Sequence, residues 1–159
     1  RVDERWFEFA SADEVLGVPV RLIPPEEMLW SKGYIMERER FDGADIAHVL
    51  RACADRLDWE RLLVRFESHW QVLLAHLVLF DFIYPNERHR VPAWVTARLT
   101  ERLAAGREPG PKLCQGTLLS RQQYLTDIVC WQYDDARLVQ GHMAPEDIAH
   151  WTAAIEAPR

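Results

Sequence analysis

The residues of this chain whose types and spacing could support chemistry fall between positions 26 and 45. They are three cations and four carboxylates: Lys32, Arg38, Arg40, Glu26, Glu27, Asp42 and Asp45. Lysine is scarce, since Lys32 and Lys112 are the only lysines among 19 basic residues. A helix over this stretch would place Lys32 in the middle of an apolar face, where an unpaired ammonium is costly. Lys32 must therefore reach a carboxylate, a ligand or water.

The helix that would carry Lys32 is predicted to begin at Pro25 and to run to about Glu39. Proline is tolerated at the first helical position, and the two glutamates after it suit the positive end of a helix. With about 100° between successive residues, one face collects the apolar side chains Met28, Leu29, Ile35 and Met36. Trp30 and Tyr34 lie on the opposite side, as expected for a helix wedged between two layers.

Asp42 is predicted to begin the next helix, whose apolar stripe consists of Ile46, Val49, Leu50, Cys53 and Leu57. The spacing of Asp42 and Asp45 fits an N-cap with a second carboxylate in the first turn, together worth about 1 kcal/mol. The same pair could instead orient Lys32 or Arg40, or contact a substrate. The residues alone leave both roles open, and the two can coexist.

Residues 17–50 resemble the end of a minimal, antibiotic-adenylyltransferase-like nucleotidyltransferase domain. In that family a last strand leads into a Pro-Glu-x-Leu/Met…Lys motif, which is followed by a basic residue and Asp-x-x-Asp-Ile. The matching residues are Pro25, Glu26, Met28, Lys32, Arg38 or Arg40, Asp42, Asp45 and Ile46. The longer string most resembles a bacterial group described only as nucleotidyltransferase-like.

The resemblance implies transfer of a nucleotidyl group from a nucleoside triphosphate to an unknown acceptor, with Mg²⁺ held by an upstream catalytic domain of the same protein. Lys32, Arg38 and Arg40 would bind the nucleotide. Carboxylates would hold those cations in place as a surrounding layer: Glu26, Glu27, Asp42 and Asp45. The family's Gly-Ser…Asp-x-Asp metal-binding motif does not occur in these 159 residues. We therefore expect no catalytic residue and no metal ligand in this chain, and no nucleotidyl transfer by residues 1–159 alone.

The composition narrows the class of protein. A net charge of −6 argues against general binding to nucleic acid or to an anionic membrane. The cysteines are few and widely spaced, which fits neither a disulfide framework nor a zinc site and points to a reducing cytoplasm: Cys53, Cys114 and Cys130. The densest apolar run, 77–84, is too short to span a bilayer, and no signal peptide is visible. We expect a cytoplasmic protein with no membrane segment.

The chain is predicted to be mainly α, a bundle of about seven helices. A strand at residues 18–23 would precede the bundle as a remnant of the nucleotidyltransferase α/β sheet, with strand confined to residues before Pro24. Residues 68–84 are apolar almost all round and are predicted to form the buried central rod of the bundle. The predicted domains are 1–40, the end of the nucleotidyltransferase-like domain, and 41–159, an all-helical C-terminal domain.

Other polar groups are expected to be structural. Asp3 is predicted to cap a short helix, with a place in the catalytic sheet as the alternative. His69 and His76 lack the spacing and the third ligand of a compact zinc site. Cys114 has no base or activating neighbour in the sequence. The Ser-x-x-Gln box at 120–123 predicts a helix that runs to about residue 132.

A second function class stays open at this point. The missing metal-binding motif also fits a non-catalytic helical module that binds a partner. Its seven tryptophans agree with this alternative, since tryptophan is favoured at protein interfaces.

Overall fold

The computed structural model describes residues 3–106 and 109–156. The predicted mainly helical class is confirmed. The helices are α1 Arg5–Glu8, α2 Pro25–Gly33, α3 Gly43–Cys53, α4 Trp59–Phe66, α5 Trp70–Ile83, α6 Ala93–Ala105, α7 Leu125–Val129, α8 Ala136–Val139 and α9 Pro145–Glu156. Short 3-10 turns lie at Glu67–His69, Arg88–Arg90 and Gln115–Leu118. Within the described ranges, no helix is long and apolar enough to cross a membrane.

The chain divides into two compact units. The first unit comprises residues 1–33 and 42–106, and the second comprises 34–41 and 107–159. The predicted boundary at residue 40 rests on the family resemblance rather than on compactness, and it stays a prediction.

An antiparallel hairpin precedes α2 in the first unit. Strand β1 is Ser11–Val15 and strand β2 is Val18–Leu22, and Val15 lies opposite Val18. The two loop residues, Leu16 and Gly17, have φ values of 53° and 80°, which is the type I′ geometry that suits the twist of a two-residue hairpin. The predicted strand is confirmed, and β1 is its partner.

The structure contains a second sheet, made of two strands of two residues each. The prediction that strands occur only before Pro24 is therefore wrong. In the second unit, β3 (Leu113–Cys114) pairs in parallel with β4 (Asp134–Asp135). The buried guanidinium of Arg137 donates to both carboxylate oxygens of Asp135 at 2.6–3.1 Å. This local ion pair fixes β4, and nothing in the apolar pattern of the sequence reports it.

Helix α2 ends at Gly33, so the prediction that it runs to about Glu39 is wrong. A Cβ on Gly33 would lie 3.1 Å from the Phe66 ring, and only glycine allows this close approach without a shift. The Gly33 carbonyl accepts a hydrogen bond from Nε2 of His76 at 3.0 Å. Met36 therefore lies outside the helix, where it bridges to Phe41 within the second unit.

Helix α5 lies at the centre of the first unit, packed against α2, α3, α4 and α6. Its inner face is buried, as predicted, through Trp70, Leu73, Leu74, Leu77 and Phe80. Its outer face leaves Phe82 82% exposed and Val78 61% exposed. The neighbouring helices cover only one side of α5, so its apolar outer face stays exposed.

Helix α7 is shorter than predicted and ends at Val129 rather than near residue 132. Gln132 has a φ of 58°, a left-handed conformation that stops a helix. The expected cap is present in part, since the Gln123 N–H donates to Oγ of Ser120 at 3.2 Å. The intervening residues form turns before α7 begins at Leu125.

Gly116 is a position at which the second unit should not tolerate a side chain. A Cβ there would lie 2.4–2.5 Å from the ring of Tyr124. We expect Gly116→Ala to lower the free energy of unfolding by about 1–3 kcal/mol, the usual cost of overpacking. Gly110→Ala is the matched control, because nothing lies within 4 Å of its Cβ. Thermal denaturation followed by circular dichroism checks both, and equal melting temperatures for the two variants would contradict the packing at Gly116.

Candidate functional site

Lys32 lies in the last turn of α2, and its ammonium is held by the two aspartates at the start of α3. Nζ lies 2.8 Å from Oδ2 of Asp42 and 2.7 Å from Oδ2 of Asp45. The hydrogen bonds to Asp42 and then to Asp45 raise the pKa of Lys32, so the ammonium is charged. We refer to Lys32, Asp42 and Asp45 as the lysine cluster.

The exposure of the lysine cluster is uneven. Asp42 is 8% exposed, Lys32 is 25% exposed and Asp45 is 55% exposed. Asp42 occupies the N-cap position of α3, but its carboxylate makes no capping hydrogen bond. Of the two roles that the sequence leaves open for this pair, the structure therefore places Asp42 on Lys32.

The other two predicted nucleotide-binding residues belong to the second unit. Arg38 and Arg40 are exposed on a tight turn in which the Glu37 N–H donates to the Arg40 carbonyl at 2.8 Å. Lys32 belongs to the first unit. A joint role of the three cations in binding a nucleotide stays a prediction.

Glu26 and Glu27 bond two arginines of α4 that the sequence analysis did not single out. The fully buried carboxylate of Glu27 accepts from Nη2 of Arg61 at 2.6 Å and from Nε of Arg65 at 2.8 Å. Glu26 accepts from the Asp58 N–H at 2.8 Å and from Nη1 of Arg61 at 3.4 Å. The predicted place of Glu26 and Glu27 around the nucleotide-binding cations stays a prediction. Arg61 and Arg65 are four residues apart and share one helix face, which was the available signal.

Arg65 also ties Asp3 to α4. Both Nη atoms of Arg65 donate to the carboxylate of Asp3 at 2.8 and 2.9 Å, and its guanidinium lies 4.1 Å from the ring centroid of Trp30. The hydrogen bonds from Arg65, together with one from the Arg5 backbone, lower the pKa of Asp3 even though partial burial opposes this. Arg65 is thus the main partner of Asp3. We refer to Asp3, Glu26, Glu27, Arg61 and Arg65 as the arginine cluster.

Glu37 anchors the turn that carries Arg38 and Arg40. Its carboxylate accepts from Oγ of Ser120 at 2.7 Å, and from the backbone N–H and Nε of Arg121 at 3.1 and 2.9 Å. Burial by itself would raise the pKa of Glu37, but these hydrogen bonds lower it. This role could not be inferred from the sequence, because the partners of Glu37 lie more than 80 residues away.

The lowered pKa of Glu37 sets an acid dependence for the second unit. Because the folded state favours the ionised carboxylate, its contribution to stability is present above the ordinary pKa of about 4.5 and is lost as the pH falls below it. We expect Glu37→Gln to destabilise the second unit by about 1–2 kcal/mol at pH 7 and to flatten this part of the pH dependence. Amide exchange of residues 115–139 between pH 3 and 7 measures both effects. Glu39→Gln, on the same turn but exposed, is the control, and equal behaviour of the two variants would contradict the role of Glu37.

His76 and Cys114 are buried within the fold. Burial lowers the pKa of His76, so its ring is neutral at pH 7, and Nε2–H donates to the Gly33 carbonyl. Cys114 is buried with a free thiol. Among the residues described, no group of three or more His, Cys, Asp and Glu side chains could hold a metal ion.

Lys32 could bind an anion only by exchanging one of its two aspartates, because the lysine cluster carries a net charge of −1. An ammonium has three N–H donors, and the two aspartates accept from two of them. Asp45 is the more exposed of the two aspartates, at 55%, so it is the partner that an anionic oxygen could replace.

Comparison of the chain with family models, curated proteins and solved structures finds no match.

Proposed function

We propose that this chain is the helical part of a nucleotidyltransferase-like protein and that Lys32 contacts the triphosphate of a bound nucleoside triphosphate. The observation that carries the proposal is a charged, partly exposed ammonium fixed by one buried and one exposed aspartate. The motif resemblance of residues 17–50 supplies the reaction, nucleotidyl transfer to an acceptor that the chain does not identify.

The uneven burial of the two aspartates suggests how the triphosphate would bind. The cluster carries a net charge of −1, which disfavours a polyanion as long as both carboxylates stay in place. An exposed ion pair contributes only about 0–1 kcal/mol, so Asp45 can leave the ammonium at little cost. A phosphate oxygen then takes the place of the Asp45 carboxylate, while Asp42 keeps Lys32 in position.

Mg²⁺, which the resemblance implies, has no fitting donor set in the part of the chain that the structure describes. The Oδ2 atoms of Asp42 and Asp45 accept hydrogen bonds from the Lys32 ammonium, and no third carboxylate joins them to form a metal site among the described residues. The proposal therefore assigns Mg²⁺ and the catalytic carboxylates to an upstream domain of the same protein. This chain would contribute nucleotide contacts, with Lys32 helped by Arg38 and Arg40.

The experiment that tests the proposal is calorimetric titration of ATP, GTP, CTP and UTP into the protein. We expect saturable binding of at least one triphosphate, weaker binding of the diphosphate, and loss of affinity with increasing salt because the contact is ionic. Absence of binding by all four triphosphates would contradict the proposed function.

The outer face of α5 favours a second candidate function, a helical module that binds a partner protein. Four apolar side chains lie on two adjacent i, i+4 rows and are 38–82% exposed: Val78, Leu79, Phe82 and Ile83. Helices that are apolar all round are normally covered, and an exposed apolar patch marks an interaction site.

A substitution at Phe82 tests this second candidate. Because Phe82 is 82% exposed, we expect Phe82→Ser to change the free energy of unfolding by less than about 0.5 kcal/mol. The same change should reduce association through this face, measured by sedimentation velocity over a range of protein concentrations and with any isolated partner. Phe80→Ser, in the buried row of the same helix, should instead unfold the protein. A strongly destabilised Phe82→Ser would show that the side chain already packs within the chain.

A further inference from the structure

The β1–β2 hairpin is a two-stranded sheet whose residues are mostly exposed to solvent. All five residues of β1 are exposed, and in β2 only Val20 is half-buried. An isolated two-stranded hairpin is marginally stable in water, and sheets gain stability from a third strand or a covering layer. The hairpin is therefore suited to pairing with a further strand.

The register determines which backbone groups face away from the hairpin. In a two-residue hairpin the residues that flank the loop form a hydrogen-bonded pair, and pairs of this kind alternate with non-hydrogen-bonded pairs along the ladder. The inward-bonded residues of β1 are therefore Ser11, Asp13 and Val15, opposite Leu22, Val20 and Val18. The outward-facing residues are Ala12 and Glu14 on β1, and Pro19 and Arg21 on β2.

The outer edge of β2 is blocked. Pro19 has no N–H to donate, and proline in sheets is found at edges that receive no further strand. The neighbouring outward residue, Arg21, directs its guanidinium to the carbonyl of Phe7 at 2.7 Å. A strand added at this edge would lose a hydrogen bond at Pro19.

The outer edge of β1 contains no proline, so both of its outward residues, Ala12 and Glu14, have an N–H. The Glu14 N–H donates to the carboxylate of the adjacent Asp13 at 2.7 Å, and an added strand would have to displace this local bond. Asp13 and Glu14 are both exposed, so the edge carries two negative charges. Cross-strand pairs of opposite charge stabilise a sheet, whereas like charges directly opposite destabilise it.

These charges identify the kind of strand that fits. Antiparallel pairing of β1 with β1 of a second copy, centred on Asp13, would place two aspartates opposite each other. A strand with basic residues at the two facing positions would instead pair with both acids. We propose that the outer edge of β1 binds a basic β strand of a partner polypeptide, with Lys or Arg opposite Asp13 and Glu14. This inference is independent of the proposed function and involves no residue of the lysine cluster.

The test is a nuclear magnetic resonance titration of the ¹⁵N-labelled chain with the peptide acetyl-Val-Arg-Lys-Thr-Val-amide. We expect saturable shifts and slower exchange of the Ala12 and Glu14 amides, with no comparable change at Arg21. The control peptide acetyl-Val-Glu-Asp-Thr-Val-amide should bind at least about tenfold more weakly. Equal binding of the two peptides, shifts centred on Arg21, or no shift at millimolar peptide would each overturn the proposal.

Two variants separate edge pairing from general charge attraction. Ala12→Pro removes an outward N–H but none of the inward hydrogen bonds to β2, and we expect about tenfold weaker binding of the basic peptide. Ala12→Thr, which keeps the N–H, should bind as the wild type does. Asp13→Lys leaves the backbone edge intact but makes the two facing positions neutral overall, and it should abolish the preference for the basic peptide. Unchanged binding by Ala12→Pro, or self-association of the wild type that Ala12→Pro abolishes, would contradict a partner strand at this edge.

Discussion

Replacing Glu27 with glutamine is expected to lower the free energy of unfolding by about 3–5 kcal/mol. The Glu27 carboxylate is fully buried and accepts from both Arg61 and Arg65, whose side chains are only 18% and 7% exposed. A neutral amide would leave two desolvated guanidinium groups without this counter-charge. Urea denaturation at pH 7, followed by circular dichroism at 222 nm, measures the loss.

Glu101→Gln is the matched control for this prediction, because Glu101 is exposed on α6. We expect it to change stability by less than about 0.5 kcal/mol. A double-mutant cycle of Glu27→Gln with Arg65→Met should be strongly non-additive, since Arg65→Met removes one of the two guanidinium groups that lose the Glu27 counter-charge. If Glu27→Gln costs no more than the control, the arginine cluster does not hold α2 against α4.

Replacing Lys32 with methionine is expected to have two effects. Stability should fall by about 1–3 kcal/mol, because Asp42, which is 8% exposed, loses a cation and lies beside another carboxylate. Triphosphate affinity should fall about 10- to 100-fold, since a charge-assisted hydrogen bond contributes roughly 1.5–3 kcal/mol. From the sequence alone, replacing a Lys32 that only binds a ligand should cause no loss of stability. Because Lys32 bonds Asp42 and Asp45 in the structure, its replacement should lower stability whether or not it binds a ligand. Affinity must therefore be measured in the folded protein.

Asp45→Asn, in the same cluster, is expected to have the opposite effect on triphosphate affinity. The proposal has the triphosphate replace Asp45 at the ammonium, so removing its charge should tighten binding several-fold. Because Asp45 is 55% exposed, its stability should change by less than about 1 kcal/mol. Weaker triphosphate binding by Asp45→Asn would contradict this exchange.

The sequence predicts the class of the fold and much of the local structure around the lysine cluster. Pro25 with the two glutamates after it marks the start of α2, and three residues of the predicted stripe of α3 are buried: Ile46, Leu50 and Cys53. The end of α2 was mispredicted because the apolar spacing continues through Ile35 and Met36. Gly33 was the stop signal, and its tertiary reason, the ring of Phe66, is invisible in the sequence.

Strand β1 shows a different limit of sequence reasoning. Its residues, Ser-Ala-Asp-Glu-Val, show no apolar alternation, and the loop that follows begins with Leu16, a poor residue for positive φ. The strand exists because β2 pairs with it. Propensity alone therefore identifies β2 and misses its partner.

The partners of the buried charges could not be derived from the sequence. Glu27 reaches Arg61 and Arg65 across 34 and 38 residues, and Glu37 reaches Arg121 across 84. Periodicity reports which face of an element is apolar, but it does not say which element packs there. Lys32 is a partial exception: its need for a counter-charge follows from its place in an apolar face, and Asp42 and Asp45 were among the candidates.

The most direct test of a triphosphate contact at Lys32 is the dissociation constant of the best-binding triphosphate for the wild type, Lys32→Met and Lys32→Arg. Each protein is titrated at a temperature at which its denaturation curve shows it to be folded, so that stability does not enter the comparison. The proposed function predicts about 10- to 100-fold weaker binding by Lys32→Met, with Lys32→Arg retaining most of the affinity because its charge is kept. Equal dissociation constants for the wild type and Lys32→Met, with only the melting temperature lowered, would contradict it and leave Lys32 as a structural partner of Asp42 and Asp45.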